Sequence, residues 1–259
     1  MTTPQVRTFK KGGSRFYVHP KSELSAPGVT SVVGMLPKEF LKFWAAKVVA
    51  EHAVDNIGPL VGLAMNDREG AIDWLKRAPQ RFTGGAADLG TEVHGLYEAL
   101  SRGQSIGRVH PDIQPFIDNW HEWNEEFAPE FLHVEGTVWN DQPLYAGSFD
   151  AIAVIGGETV IIDYKTTRSG VHAEVALQLA AYASADSIIT SDGDVIELPV
   201  ITGAAVMHSR PEAWKFVPVS MDPALMGIFE ALTHVIDWQR NVSRGVIGAP
   251  LGEGQRPMQ

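Results

Sequence analysis

Two aspartates and a lysine are spaced in the sequence so that they could form one chemical site. Asp150 ends the string GSFD, and thirteen residues later Asp163 begins the string DYKTT. In an extended strand, residues two apart share a face, so Asp163 and Lys165 point the same way and Tyr164 points the other way. A hairpin through the glycines at 156–157 would bring Asp150, in the preceding strand, alongside Asp163.

The chemistry that such a group favours is metal-dependent hydrolysis. Two carboxylates held together in a partly apolar place repel each other, and a bound cation relieves the repulsion. Mg²⁺ or Mn²⁺ suits carboxylate oxygens and keeps water and substrate phosphate in its remaining coordination positions. The ion lowers the pKa of a bound water, and Lys165 could orient that water or stabilise charge on a phosphoryl group. The alternative is a surface pair of Asp163 and Lys165 on an edge strand with Asp150 in a turn, and spacing alone leaves it open.

The hydrophobic pattern predicts the elements that must position these side chains. A hairpin is predicted at 7–19, and helices are predicted at 38–56, 59–78, 86–101 and 112–127. A three-stranded meander at 131–139, 144–155 and 158–165 is followed by a helix at 172–186, strands at 201–208 and 214–219, and a helix at 223–241. This order predicts an α/β fold, in which a mixed central sheet is flanked by helices and preceded by an N-terminal helical elaboration.

Composition excludes several classes of protein. The 259 residues include no cysteine, which rules out thiol catalysis, zinc ribbons and cysteine-ligated iron–sulfur clusters. No P-loop, dinucleotide-binding, zincin or nucleophile-elbow motif is present. No apolar run reaches the length of a membrane span and no secretory signal is evident, so we expect a cytoplasmic protein without a membrane partner.

Charge is distributed unevenly along the chain. The net charge is −10, but residues 1–81 hold 12 Lys and Arg against 7 Asp and Glu, and residues 82–259 hold 9 against 24. A basic segment therefore precedes an acidic one. This asymmetry is compatible with a phosphate-binding region, and equally with an ordinary solvated face.

At Asp150 and Asp163 the sequence resembles the PD-(D/E)XK nuclease superfamily, and within it the RecB-like exonucleases of recombination enzymes, phages and CRISPR adaptation systems. Asp150 matches the first aspartate of the motif, although phenylalanine precedes it where the family name has proline. Asp163 and Lys165 match the (D/E)XK part, and Gln178 and Tyr182 are similar to the family's Q-x-x-x-Y motif. The resemblance spans residue 27 to about residue 185.

Two further residues take their expected roles from the same resemblance. The string GTEVH that ends at His94 is similar to the family helix that carries a metal-binding histidine, and Glu135 matches a recurrent glutamate. The resemblance implies a metal held by His94, Asp150, Asp163 and the Tyr164 carbonyl, with Glu135 as a further candidate ligand. Lys165 would act on the attacking water and the developing charge. Gln178 and Tyr182 would order the site.

The resemblance also implies how the chain is divided. A restriction-endonuclease-like core is expected at 131–245, an N-terminal DNA-binding region that contributes the histidine at 1–130, and a loose tail at 246–259. Relatives often clamp DNA ends with a four-cysteine iron–sulfur cluster, which this chain has no cysteines to build. Side chains expected to contact the DNA backbone are Lys10, Lys11, Arg15, Lys38, Lys42, Arg77, Arg81, Thr166 and Arg168.

The function expected from these residues is a Mg²⁺- or Mn²⁺-dependent exonuclease that acts on DNA ends or single strands in phage or bacterial replication or recombination. One alternative is a structure-specific or nicking endonuclease with the same site. Another is a DNA-binding protein whose nuclease site is vestigial. The sequence leaves open the polarity, the choice between DNA and RNA, the number of metal ions, the oligomeric state and any protein partner.

Overall fold

The computed structural model describes residues 6–252, apart from the side chains of residues 85–87. Its strands are β1 Thr8–Lys11, β2 Ser14–Val18, β3 Ser25–Pro27, β4 Glu130–Asn140, β5 Tyr145–Ile155, β6 Glu158–Lys165, β7 Ser187–Ile189, β8 Val195–Glu197, β9 Gly203–Arg210 and β10 Ala213–Val219. Its helices are α1 Val29–Val33, α2 Glu39–Asp55, α3 Ile57–Asn66, α4 Arg68–Lys76, α5 Ala78–Ser101, α6 Gln114–Phe127, α7 Val175–Ala183 and α8 Ala224–Asp237.

The predicted meander forms the middle of a seven-stranded sheet with the strand order β10-β9-β6-β5-β4-β7-β8. Strands β4, β5 and β6 pair antiparallel, whereas β6 and β9 pair parallel, so the sheet is mixed. Helices cover both faces, and the prediction of an α/β fold with a mixed, helix-flanked sheet is confirmed. Because β6 lies between β5 and β9, Asp163 and Lys165 are not on an edge strand, and the surface-pair alternative is wrong.

Side-chain alternation along β6 divides the interior into two cores. Ile161 packs with α1, α7 and α8 on one face of the sheet. Ile162 and Tyr164 pack with α5 and α6 on the other face. Asp163 and Lys165 therefore face one side of the sheet, and the Tyr164 ring lies in the core on the other side, as period-two alternation predicts. The site is consequently built from helices on both sides of the sheet.

The N-terminal strands form a second, smaller sheet of β1, β2 and β3. Its hairpin turns through Gly12 and Gly13, whose φ values of 58° and 84° are readily adopted only by glycine. The segment that follows β3 reaches the large sheet, where Gly28 bridges to Ala146 of β5. This contact brings α1 next to the strand that carries Asp150.

The largest differences from the predicted helix boundaries lie in the N-terminal half of the chain. The predicted helix at 59–78 is two helices, α3 and α4, because the chain turns at Asp67, whose carboxylate accepts a 2.9 Å hydrogen bond from the Gly70 amide. Helix α5 begins at Ala78 rather than near residue 86, and it continues through Gly84. The early start makes α5 a long helix that delivers His94 to the sheet.

Two strands that were not predicted, β7 and β8, lie between α7 and β9. The predicted helix at 223–241 is α8, which ends at Asp237 and is followed by a π-helical turn at Trp238–Val242 and a 3₁₀ turn at Ser243–Gly245. Residues 246–252 form no helix or strand, and residues 253–259 of the predicted tail lie outside the described residues. Over residues 6–252, no helix has both the length and the apolar character required to cross a membrane.

Candidate functional site

Three acidic residues lie side by side on the adjacent strands β4, β5 and β6. The β5–β6 register places Asp150 opposite Asp163, one position beyond the pair formed by Ala151 and Ile162. The β4–β5 register places Glu135 opposite the same Asp150. Three carboxyl groups in one row would repel each other strongly unless other groups compensate.

Asp163 is the most deeply buried of the three, with 4% of its surface exposed. The Lys165 ammonium donates a 2.7 Å hydrogen bond to Asp163 Oδ1 and lies 2.5 Å from Oδ2. Gln178 Nε2 donates a second hydrogen bond to Oδ1 at 3.0 Å. The other oxygen, Oδ2, is buried, and its contact with the Lys165 ammonium is an ion pair without hydrogen-bond geometry. Burial and the neighbouring Asp150 raise the pKa of Asp163 to about 6, against the opposing effects of Lys165 and His94.

Asp150 is compensated differently. Its Oδ2 accepts a 2.6 Å hydrogen bond from the Tyr164 amide, and its Oδ1 lies 3.6 Å from His94 Nδ1. Burial would raise the pKa of Asp150, but His94, Lys165 and the Tyr164 amide together lower it below its ordinary value. Asp150 is therefore held ionised, and Asp163 is the carboxyl of the pair that takes up a proton first as the pH falls.

His94 reaches this group from α5. Burial alone would lower the pKa of His94, but the carboxylates of Asp150 and Asp163 outweigh it and raise the pKa above its usual value of 6.5. The structure thus places His94, which the resemblance singled out, beside Asp150. Gly90, one turn earlier on the same helix, leaves room for Thr166, whose hydroxyl would lie 3.2 Å from a Cβ at that position.

Helix α7 contributes the predicted glutamine and tyrosine from the opposite face of the sheet. Gln178 Nε2 donates to the Tyr182 hydroxyl at 3.3 Å as well as to Asp163. The Tyr182 ring packs against β5 at Gly147, where a Cβ would come within 2.6 Å of the ring. The glycine three residues before Asp150 is thus needed for the close approach of α7.

Glu135 has an unusual backbone for its residue type. Its φ of 53° lies in the left-handed region, which costs free energy for a residue that has a Cβ atom. Burial, Asp150 and Glu98 raise the pKa of Glu135 to about 7, although His94 and Arg102 oppose the shift. A strained backbone and a carboxyl with a raised pKa occur at the same residue.

The sequence reasoning missed two residues, Glu98 and Arg102, which lie one and two turns beyond His94 on α5. Arg102 Nη1 lies 2.8 Å from Glu98 Oε1, and Arg102 Nη2 donates a 2.9 Å hydrogen bond to the Val134 carbonyl. The pair fastens α5 to β4 next to Glu135. Glu98 lies four residues after His94, and Arg102 lies four residues after Glu98. This spacing puts all three on one helical face, and it is the sequence signal that could have indicated Glu98 and Arg102.

Replacing Glu135 by glutamine should stabilise the protein at high pH. The pKa of Glu135 is raised from 4.5 to about 7 in the folded state, so its protonated form favours folding below pH 4.5 and this contribution is lost as the pH rises through 7. Glutamine does not ionise, so the variant does not lose this stability as the pH rises. We expect Glu135→Gln to raise the free energy of unfolding by about 1 to 2 kcal/mol at pH 8, a value reduced to allow for screening of the Glu135 charge by solvent. Urea unfolding at pH 4 and pH 8 measures it.

The matched control is Glu130→Gln, at the exposed start of the same strand. The free energy of unfolding of that variant should differ from that of the native protein by the same amount at pH 4 and at pH 8. A Glu135→Gln protein that is less stable than the native one at pH 8 would contradict the account of Glu135.

The two carboxylates of this site suit a hard divalent cation, and the His94 imidazole could add a nitrogen ligand. The buried Oδ2 of Asp163, which contacts the Lys165 ammonium, is an oxygen that a cation could also contact. Within residues 6–252, however, no three His, Asp or Glu side chains are already grouped at coordinating positions. The ammonium of Lys165 neutralises the charge of Asp163, a role that a bound cation would share.

Tyr164 meets the site through its amide, which donates to Asp150. Its side chain is buried in the opposite core, with the hydroxyl 3.1 Å from Ser101 Oγ.

The nine residues predicted to contact DNA lie on several elements, and of these Lys38 shares a cleft with Lys165. Others contact nearby groups: Lys11 with Asn241, Lys42 with Glu39, Arg77 with Asp73, and Arg81 with the Trp74 ring and carbonyl. Lys10, Arg15 and Arg168 are exposed and Thr166 is half-buried.

Comparison with known proteins leaves the family open. No family model matches the sequence, and no curated protein matches it. A solved structure described as "Crystal structure of SSO0001" is similar with 16% sequence identity over 80% of this chain and 89% of that chain, at a TM-score of 0.34. Similarity at this level supports no conclusion about family or function.

Proposed function

We propose that this protein is a divalent-metal-dependent DNA nuclease of the PD-(D/E)XK type, with a restriction-endonuclease-like core, and that it acts as an exonuclease on DNA ends. The observation that carries the proposal is the pairing of the partly buried Asp150 with the buried Asp163 across adjacent strands, with the Lys165 ammonium 2.7 Å from Asp163. Burying two neighbouring carboxylates costs free energy, and their pKa values are displaced in opposite directions. Such displacement is typical of groups that perform chemistry.

Asp150, Asp163 and His94 are the side chains that would hold the cation. When bound, Mg²⁺ or Mn²⁺ supplies Lewis-acid polarisation of a phosphate and lowers the pKa of a water. The protein's own groups fix the geometry around it. The Tyr164 amide holds one carboxylate in place, and Gln178 holds the other.

Lys165 supplies the positive charge on the substrate side. Its side chain is 31% exposed, so a phosphate can reach the ammonium while Asp163 beside it stays buried. An ammonium placed there before the reaction stabilises negative charge that develops on the phosphoryl oxygens, and it does so without reorganising. Because Lys165 lies at the end of a central strand, it is held more firmly than a loop lysine would be.

The proposal predicts metal-dependent degradation from DNA ends. We expect linear DNA labelled at one end to be shortened progressively when Mg²⁺ or Mn²⁺ is added, and to remain intact in EDTA. Closed circular DNA of the same sequence should persist, because it offers no end. Gel analysis of both substrates over time is the measurement.

The other outcomes separate the alternatives. Cleavage of the closed circle with the same metals would replace the exonuclease by an endonuclease with the same site. Failure to cut either substrate with Mn²⁺ would reject the nuclease proposal and leave the non-catalytic alternative.

A further inference from the structure

A cavity of about 440 Å³ lies between helix α6 and the hairpin that joins β9 to β10. Its volume is within the range of about 300 to 1,000 Å³ that is typical of ligand pockets. The residues that line it do not include Glu135, Asp150 or Asp163, the acidic row of the candidate site. The cavity is therefore a separate feature of the molecule.

Three of the residues that line this cavity are acidic, with Asp118 and Glu122 on α6 and Glu212 in the hairpin turn. Asp118 accepts a 2.8 Å hydrogen bond from Gln114 Nε2, and Glu122 accepts a 3.0 Å hydrogen bond from the Trp214 indole. Both donors are neutral, and within residues 6–252 none of the three carboxylates forms an ion pair. Their negative charge is left without a cation.

A buried asparagine turns a hydrogen-bond acceptor toward the same cavity. Asn119 lines the cavity and has 7% of its surface exposed. Its Nδ2 donates to Ser209 Oγ at 2.9 Å and to the Arg210 carbonyl at 2.7 Å, and because a carbonyl only accepts, these bonds fix the orientation of the amide. Asn119 Oδ1 accepts no hydrogen bond from any described residue, and it is not sealed from solvent. An acceptor held in this way gains free energy when a donor from outside the chain reaches it.

The Trp214 ring gives the cavity a flat wall. Its Nε1–H donates to Glu122, and the ring packs edge-to-face against Phe127 with centroids 6.1 Å apart and an interplanar angle of 80°. These two contacts hold the ring in one orientation. The cavity thus combines acceptor oxygens, negative charge and an aromatic surface before any ligand binds.

A guanidinium group matches these features better than other biological cations. It is planar and permanently charged, its N–H donors form a fork that fits carboxylates, and it stacks on aromatic rings. An ammonium group has the charge without the flat face. Free arginine also carries an α-carboxylate, which the acidic residues would repel, whereas an arginine inside a polypeptide does not. The phosphates of nucleic acid would be repelled for the same reason.

We propose that this cavity binds an arginine side chain of a partner protein, with the guanidinium between Glu122 and Glu212 and against the Trp214 ring. Asn119 Oδ1 would accept a further hydrogen bond from it. The hairpin follows the carboxyl end of β9, and the parallel pairing of β9 with β6 puts this end beside Lys165. A partner docked there would stand at the same end of the sheet as the candidate site. The inference does not depend on the proposed nuclease function.

The test is an NMR titration of the native protein with capped Gly-Xaa-Gly peptides whose central residue is arginine, citrulline or lysine. Citrulline has the shape of arginine without its charge. The arginine peptide should shift the indole N–H signal of Trp214 saturably, and that signal is assigned by its loss in Trp214→Phe. The citrulline peptide should leave the signal unmoved, and the lysine peptide should bind more weakly than the arginine peptide.

Two matched variants locate the binding. Glu122→Gln keeps an oxygen that accepts from the Trp214 indole but removes the charge, and it should weaken binding of the arginine peptide by about two- to fivefold, as expected for one exposed ion pair. Glu125→Gln makes the same change at an exposed position of α6 outside the cavity, and it should bind like the native protein. Undiminished binding by Glu122→Gln would overturn the assignment.

The remaining outcomes address the ligand. Equal shifts with the arginine and citrulline peptides would overturn the role of charge, and equal binding of the arginine and lysine peptides would overturn the choice of a guanidinium. Tighter binding of free arginine than of the arginine peptide would assign the cavity to the amino acid and overturn the partner. None of these titrations uses DNA or Mn²⁺, so their failure leaves the nuclease proposal standing, and a protein that cuts no DNA can still bind the arginine peptide.

Discussion

Lys165→Ala should lower the rate of Mn²⁺-dependent DNA hydrolysis by about 10²- to 10³-fold. The ammonium of Lys165 is the cation that the chain itself holds beside the buried Asp163, and it faces the side from which a phosphate can approach. Without it, charge on the phosphoryl oxygens lacks a preorganised partner. Steady-state cleavage of linear DNA measures the loss.

The variant should remain folded, because the side chain is partly exposed and Asp163 can take up a proton when its ion pair is removed. Circular dichroism and thermal unfolding check this directly. Lys215→Ala, an exposed lysine on β10, is the matched control and should cleave at the native rate. A folded Lys165→Ala protein with the native cleavage rate would remove Lys165 from the reaction.

Asp163→Asn should abolish cleavage and at the same time stabilise the protein at neutral pH. The pKa of Asp163 is raised from 3.8 to about 6 in the folded state, so the native protein binds a proton more tightly than the unfolded chain does. Stability from this group is therefore complete below about pH 4 and is lost as the pH rises through 6. Asparagine is neutral throughout and avoids the loss.

The expected gain is about 1 to 3 kcal/mol at pH 8, since a shift of two pKa units corresponds to about 3 kcal/mol and the lost contact with Lys165 subtracts from it. Urea unfolding at half-unit intervals from pH 4 to pH 8 should show the gain growing up to about pH 6 and then levelling. Asp192→Asn, in an exposed turn, should show no such rise. An Asp163→Asn protein that is less stable than the native protein by the same amount at pH 4 and at pH 8 would contradict the raised pKa of Asp163.

The convergence of Asp150, Asp163 and Lys165 could be predicted because it depends on local rules. Alternation along a strand fixes which side chains share a face, and the glycines at 156–157 fix the hairpin. The contribution of His94 does not follow from local spacing. It was predicted from the resemblance, and the structure brings it within 3.6 Å of Asp150.

Other features depend on tertiary packing and could not be predicted. Strands β7 and β8 have three residues each, too few for a recognisable alternation. The left-handed backbone of Glu135 arises where β4 passes Asp150, and nothing in the residue type indicates it. The cleft beside Lys165 joins α1 with the loop before α7, which lie more than 130 residues apart.

The two aspartates show why the sequence does not determine the electrostatics. Both are carboxylates on adjacent strands, yet the pKa of Asp150 is lowered and that of Asp163 is raised. The difference comes from the Tyr164 amide and His94, which favour the charged form of Asp150, whereas burial and repulsion dominate at Asp163. Only the positions of these neighbours decide which carboxyl retains the proton.

Titration calorimetry with Mn²⁺ tests most directly whether Asp150 and Asp163 together hold a cation. The native protein should bind Mn²⁺ saturably, and Asp150→Asn and Asp163→Asn should each lose that binding, while Asp192→Asn retains it. Absence of binding to the native protein, or undiminished binding to both site variants, would contradict the account.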